Sequence, residues 1–142
     1  VLITALASLV VLLTAFTNTA QTDRGRIRPP AAVTCNRNNL TAYSGKVVEF
    51  SRHPGRVDLT IETDWDTTEK VTLTHSRGSD PARWFLFNGR KFKPSNWKVL
   101  DSVQSTYPDG FRATAWVCND GRKPIIDWQL RIVGVQDPPA TP

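Results

Sequence analysis

The chain holds two histidines, His53 and His75, and two cysteines, Cys35 and Cys118. His53 sits in a His-Pro-Gly turn, and His75 ends a strand pattern with parity toward the core face. A metal site or an acid–base pair needs a third partner, and the sequence places none beside them. The cysteines form no CxxC or zinc spacing, and there is no GxSxG, P-loop, GxGxxG or CxxCH motif. No catalytic residue, metal ligand set or cofactor is therefore assigned, and the chain is read as a non-enzyme. The most acidic run is Glu62, Asp64, Asp66 and Glu69 in ETDWDTTE. Its alternate carboxylates could present oxygens to Ca²⁺, but the EF-hand glycine and the acidic residue at loop position 12 are missing. The expectation is a turn whose Asp and Thr side chains bond the local backbone.

A second set of residues suits binding rather than catalysis. Aromatic and basic side chains interleave at Arg83, Trp84, Phe87, Arg90, Lys91, Phe92 and Trp97. Such a set could stack single-stranded bases. Export, argued next, speaks against nucleic acid, and Trp, Phe and Arg also make protein-interface anchors at low entropy cost. This segment is the expected partner-binding surface, lying outside the regular strands, where long insertions tend to be functional.

No Lys, Arg, Asp or Glu precedes Asp23, and residues 1–16 are apolar except for Thr4, Ser8 and Thr14. As a helix, residues 1–22 would span ~33 Å, about one bilayer core. This segment reads as a transmembrane anchor, or alternatively as a signal peptide cleaved after export. Residues 23–34 form a basic, Pro-containing linker, in which Arg24, Arg26 and Arg28 would lie close to the membrane. By the positive-inside rule those arginines belong in the cytoplasm. Against this, two lone cysteines in an exported chain usually pair, so Cys35 and Cys118 are expected to form a disulfide outside the cytoplasm. The expected location is the bacterial inner membrane with a periplasmic domain; a periplasmic or secreted protein is the alternative.

The elements that must hold these residues have a period of mostly two. Gly45–Arg52, Arg56–Asp64 and Lys70–His75 read as an antiparallel meander. In its second run Val57, Leu59 and Ile61 alternate with Asp58, Thr60 and Glu62. Phe85–Phe87 and Arg90–Phe92 flank Asn88-Gly89, a strong type I′ hairpin signal. Pro94–Leu100 reads as a short helix with Ser95 as its N-cap, and Phe111–Cys118 and Ile125–Val133 as two final strands. The folded unit is about 35–135, and 136–142 is an irregular tail. With 142 residues and a formal charge of +5, the chain is long enough for one domain.

The order of three strands, a helical insert and two strands over 45–133 resembles an OB-fold, a five-stranded antiparallel Greek-key barrel. A small β-sandwich is the alternative. The resemblance implies mainly β structure but no particular function, because function lives in sites grafted on folds. The expected role is a non-catalytic accessory or structural subunit, anchored in the lipid bilayer through residues 1–22. Its barrel would dock on a larger membrane protein complex, for example a respiratory or photosynthetic one. The alternative is a periplasmic binding module for a small molecule, sugar or peptide.

Overall fold

The computed structural model describes residues 27–106 and 111–130. The expectations placed on residues 1–22, on Arg24 and Arg26, and on the 136–142 tail lie outside them. Among the described residues no helix is long and apolar enough to cross a membrane.

The backbone forms one seven-stranded mixed sheet and one α-helix. The strands are β1 (Leu40–His53), β2 (Arg56–Thr63), β3 (Thr68–Thr74), β4 (Phe85–Phe87), β5 (Arg90–Lys91), β6 (Phe111–Cys118) and β7 (Ile125–Leu130). The helix α1 covers Asn96–Thr106. The spatial order is β3-β2-β1-β6-β7-β4-β5, with β3 and β5 as the two edges. The sheet is therefore open, in place of the closed five-stranded barrel expected from the sequence. The two additional strands come from the region read as an insert. β4 pairs parallel to β7, matching Phe85 with Ile126 and Phe87 with Trp128, and β5 adds to its outer side.

β1 is long because it serves two partners. Leu40–Lys46 pairs with β6, and Gly45–His53 pairs with β2. At the crossover a Cβ on Gly45 would meet the Glu62 carbonyl oxygen at 1.9 Å, so only glycine lets the two backbones approach this closely. Two residues later the register slips. Val47 faces Ile61 while Glu49 faces Thr60, which leaves Val48 as a bulge. The extra residue inverts the side-chain parity. Phe50 and Arg52 thereby join Val47 on the main-core side, and Val48 is left exposed.

The main core lies on one face of the sheet. Val57, Leu59 and Ile61 of β2, Val71 and Leu73 of β3, Phe111 and Ala113 of β6, and Ile126 and Trp128 of β7 fill it. α1 contributes Trp97 and Leu100, three residues apart and so on one helical face. Trp128 is the hub, with ring centroids 4.9 Å from Phe50, 4.8 Å from Phe111 and 6.2 Å from Phe85. A smaller cluster of Leu86, Trp116 and Ile125 sits on the opposite face, covered by Val33 and Leu40. The Cys35–Cys118 disulfide, across a Cα separation of 6.1 Å, fastens the segment that carries Val33 to the end of β6.

Candidate interaction surface

The region from Pro81 to Lys98 contains five basic residues and no acidic one. Its first turn, Pro81–Trp84, is a 3-10 helix that follows Asp80. Asp80 Oδ1 accepts the Ala82 N–H at 2.8 Å and the Trp97 indole N–H at 3.0 Å. One carboxylate thus starts the turn and ties it to α1. Asn96 steadies the other end, its Oδ1 accepting the Lys93 N–H at 2.7 Å. That is the side-chain bond at the start of α1, directly after the Ser95 expected as its cap.

This framework sorts the seven interleaved residues into two groups. Phe92 and Trp97 are core, only 2% and 8% exposed, with ring centroids 4.5 Å apart. Phe87 is partly buried against the same core. These three build the platform and offer a partner little or no surface. Arg83, Arg90 and Lys91 are exposed, the last two on the edge strand β5. Trp84 lies between the groups, half-buried against both hydrophobic clusters. The segment does not project from the sheet; it supplies an edge of the sheet and the helix that covers the core.

Cations gather on Trp84. The Arg83 guanidinium lies 3.9 Å and the Lys123 ammonium 4.6 Å from the indole ring centre. Lys123 Nζ also donates to the Thr74 carbonyl at 2.6 Å, which fixes its position. Lys123 is on the β6–β7 loop, and nothing in its local sequence pairs it with Trp84; the fold alone brings it there. Each such contact contributes ~0.5–1 kcal/mol at an exposed site, enough to hold a cation over the ring without withdrawing it from solvent. Beside the ring is an open hollow of about 580 Å³ lined by Val33, Thr34, Cys118, Ile125 and Arg122 among others. Arg122 is itself engaged, 3.1 Å from Asp120 and 2.8 Å from Thr34 Oγ1. Among the described residues, ion pairs form at Arg52, Arg56, Arg112 and Arg122 and at none of Arg83, Arg90 and Lys91.

The two histidines do meet across space. His53 and His75 line a wide cleft of about 750 Å³, with Phe50, Asp80, Asp101 and Gln104. Its acidic members are occupied: Asp101 takes both bonds from Arg52, at 3.0 and 3.1 Å, and Asp80 holds Ala82 and Trp97. His75 Nδ1 lies 3.0 Å from the Ser76 carbonyl oxygen and therefore carries the proton, leaving Nε2 buried without a partner. Among the described residues no group of three His, Cys, Asp or Glu is arranged to hold a metal.

The acidic turn is built as a backbone-bonded loop. Thr63 Oγ1 accepts from the Trp65 and Thr67 N–H groups, both at 3.3 Å. Asp64 receives two bonds of 2.7 Å from Arg112 of β6. One carboxyl elsewhere is perturbed by burial. Desolvation raises the pKa of Asp127 above the usual 3.8, opposed by the Gly89 N–H that it accepts at 2.9 Å.

No protein-family model matches the chain, no curated protein matches its sequence, and no solved structure matches it.

Proposed function

We propose that this is a non-catalytic accessory domain, anchored by residues 1–22 and exposed outside the cytoplasm, that docks on a larger membrane protein complex. The docking surface is Arg83, Trp84, Arg90 and Lys91, with Lys123 joining it from the neighbouring loop. One observation carries the reading: two cations converge on a half-exposed indole beside a partly apolar hollow. An aromatic anchor flanked by arginine and lysine is the composition that concentrates binding energy at protein interfaces. The complementary patch would carry carboxylates around an apolar ridge, since exposed cations steer an acidic partner and set register. The disulfide and the basic composition agree with an oxidising compartment. Mild detergent extraction of the native membranes, followed by native sizing and intact-mass measurement, tests the reading. The chain should retain residues 1–22 and migrate with other polypeptides. A soluble, shortened, monomeric species would overturn it.

A further inference from the structure

The tip of the β2–β3 hairpin carries the most exposed large apolar side chain among the described residues, Trp65, at 76%. Nothing in the docking surface uses it. Its backbone is held rigid from three sides. Thr63 N–H donates to the Thr67 carbonyl at 2.8 Å, Asp64 N–H to the Ser44 carbonyl at 2.9 Å, and Arg112 grips the Asp64 carboxylate. Asp66 completes the turn at φ +58°, a left-handed conformation that Asp tolerates better than most residues. An indole on so fixed a base loses little further freedom when a ligand covers it.

Chain neighbours of Trp65 on both sides, Asp64 and Asp66, line a hollow of about 390 Å³ with Lys46, Glu62, Thr67 and Arg112. That volume is at the lower end of the range for small-ligand sites, about 300–1,000 Å³. The lining offers hydroxyl, carboxylate, ammonium and guanidinium groups, which can both donate and accept hydrogen bonds. The setting discriminates between kinds of ligand. A protein hot spot needs an apolar ring that excludes water from it, and here the flanking residues Glu62, Asp64, Asp66, Thr67 and Thr68 are exposed and polar. An anionic lipid surface would be repelled by Glu62, Asp66 and Glu69. A neutral sugar asks for what is present: a flat apolar face for its C–H side and a polar hollow for its hydroxyls.

We propose that Trp65 and the adjoining hollow form a binding site for a neutral pyranose oligosaccharide, the indole stacking on one ring while Glu62, Asp66, Thr67 and Lys46 bond its hydroxyls. The site lies apart in sequence and contacts from Arg83 and Trp84. It rests on the proposed exposure outside the cytoplasm only for the supply of such a ligand.

The test is titration of the purified full chain in detergent with chitohexaose and with cellohexaose, read by calorimetry and by tryptophan fluorescence. At least one should bind in the millimolar range or tighter. Trp65→Ala should weaken that binding at least about tenfold, the loss of one well-stacked aromatic. Trp65→Phe should retain most of it, and Glu62→Ala should weaken it less than Trp65→Ala does. All three variants should keep the wild-type thermal transition, because both positions are exposed. Arg83→Glu should leave sugar binding unchanged, so failure of this site and failure of the docking reading are separate results. Absence of binding by both sugars overturns the proposal, as does binding indifferent to Trp65→Ala. Loss of the host complex on Trp65→Ala would also overturn it, by making Trp65 a protein anchor.

Discussion

Replacing both cysteines by alanine should remove close to half of a typical domain's stability. The bridge spans a sequence separation of 83 residues. In the chain-entropy model, closing a loop of that size withdraws about 15 cal/mol/K from the unfolded ensemble, or ~4.5 kcal/mol at 25 °C. Native domains commonly hold about 5–15 kcal/mol in total. Cys118 is 8% exposed, so alanine there also forfeits a little burial, whereas serine would add a buried hydroxyl. The native side of the balance matters as well. The bridge fastens the segment whose Val33 covers Leu86, Trp116 and Ile125, and that small cluster would loosen with it. The assay is urea unfolding followed by tryptophan fluorescence, comparing the oxidised protein with Cys35→Ala/Cys118→Ala. With a slope of about 1–3 kcal/mol/M, the midpoint should fall by roughly 1.5 M or more. A loss below about 1 kcal/mol would refute the reasoning, because the unfolded chain would then be as restricted without the bridge as with it.

Three further outcomes are expected. Gly45→Ala should destabilise the domain by at least about 2 kcal/mol in the same assay, since its Cβ meets Glu62 backbone that cannot move without unpairing β1 from β2. Leu59→Ala should cost about 2–4 kcal/mol, while Val48→Ala at the exposed bulge should stay within about 0.5 kcal/mol; equal effects would place the core on the wrong face. Asp127→Asn should raise the melting temperature at neutral pH, because the amide oxygen still accepts the Gly89 N–H without the cost of a half-buried charge. The folded pKa of Asp127 lies above its unfolded value, so the wild type gains stability as pH falls through that pKa toward 3.8. The advantage of the variant should therefore shrink on acidification; an advantage that grows would reverse the sign of the shift.

The parts of the fold legible in the sequence were those with a clean local signal. β2 alternates without interruption, and β6 was delimited as Phe111–Cys118, the range it occupies. Asn88 and Gly89 both take positive φ, at 49° and 73°, as the hairpin signal implies. The open sheet was not legible, for three physical reasons. Leu40–Ser44 has little polar–apolar contrast, so the first half of β1 left no periodic trace. The parallel pairing of β4 with β7 joins residues about forty positions apart, which no local pattern encodes. The bulge at Val48 inverts parity midway along β1, so a single alternation cannot describe the strand. For the candidate surface, residue type was misleading in part: Trp and Phe serve cores and interfaces alike, and only packing separates Phe92 and Trp97 from Trp84. Lys123 and Trp65 escaped notice because the first is distant in sequence and the second lay hidden in a run read for its carboxylates.

The central claim, docking through the basic aromatic surface, is tested most directly by native sizing of membrane extracts carrying Arg83→Glu/Arg90→Glu/Lys91→Glu. All three positions are exposed, and each exposed change costs within about 0.5 kcal/mol, so the purified variant should unfold within a few degrees of the wild type. The account predicts that the wild-type chain migrates in a high-mass complex and that the folded variant migrates alone. A folded variant that still migrates in the complex, in the same proportion as the wild type, would contradict it.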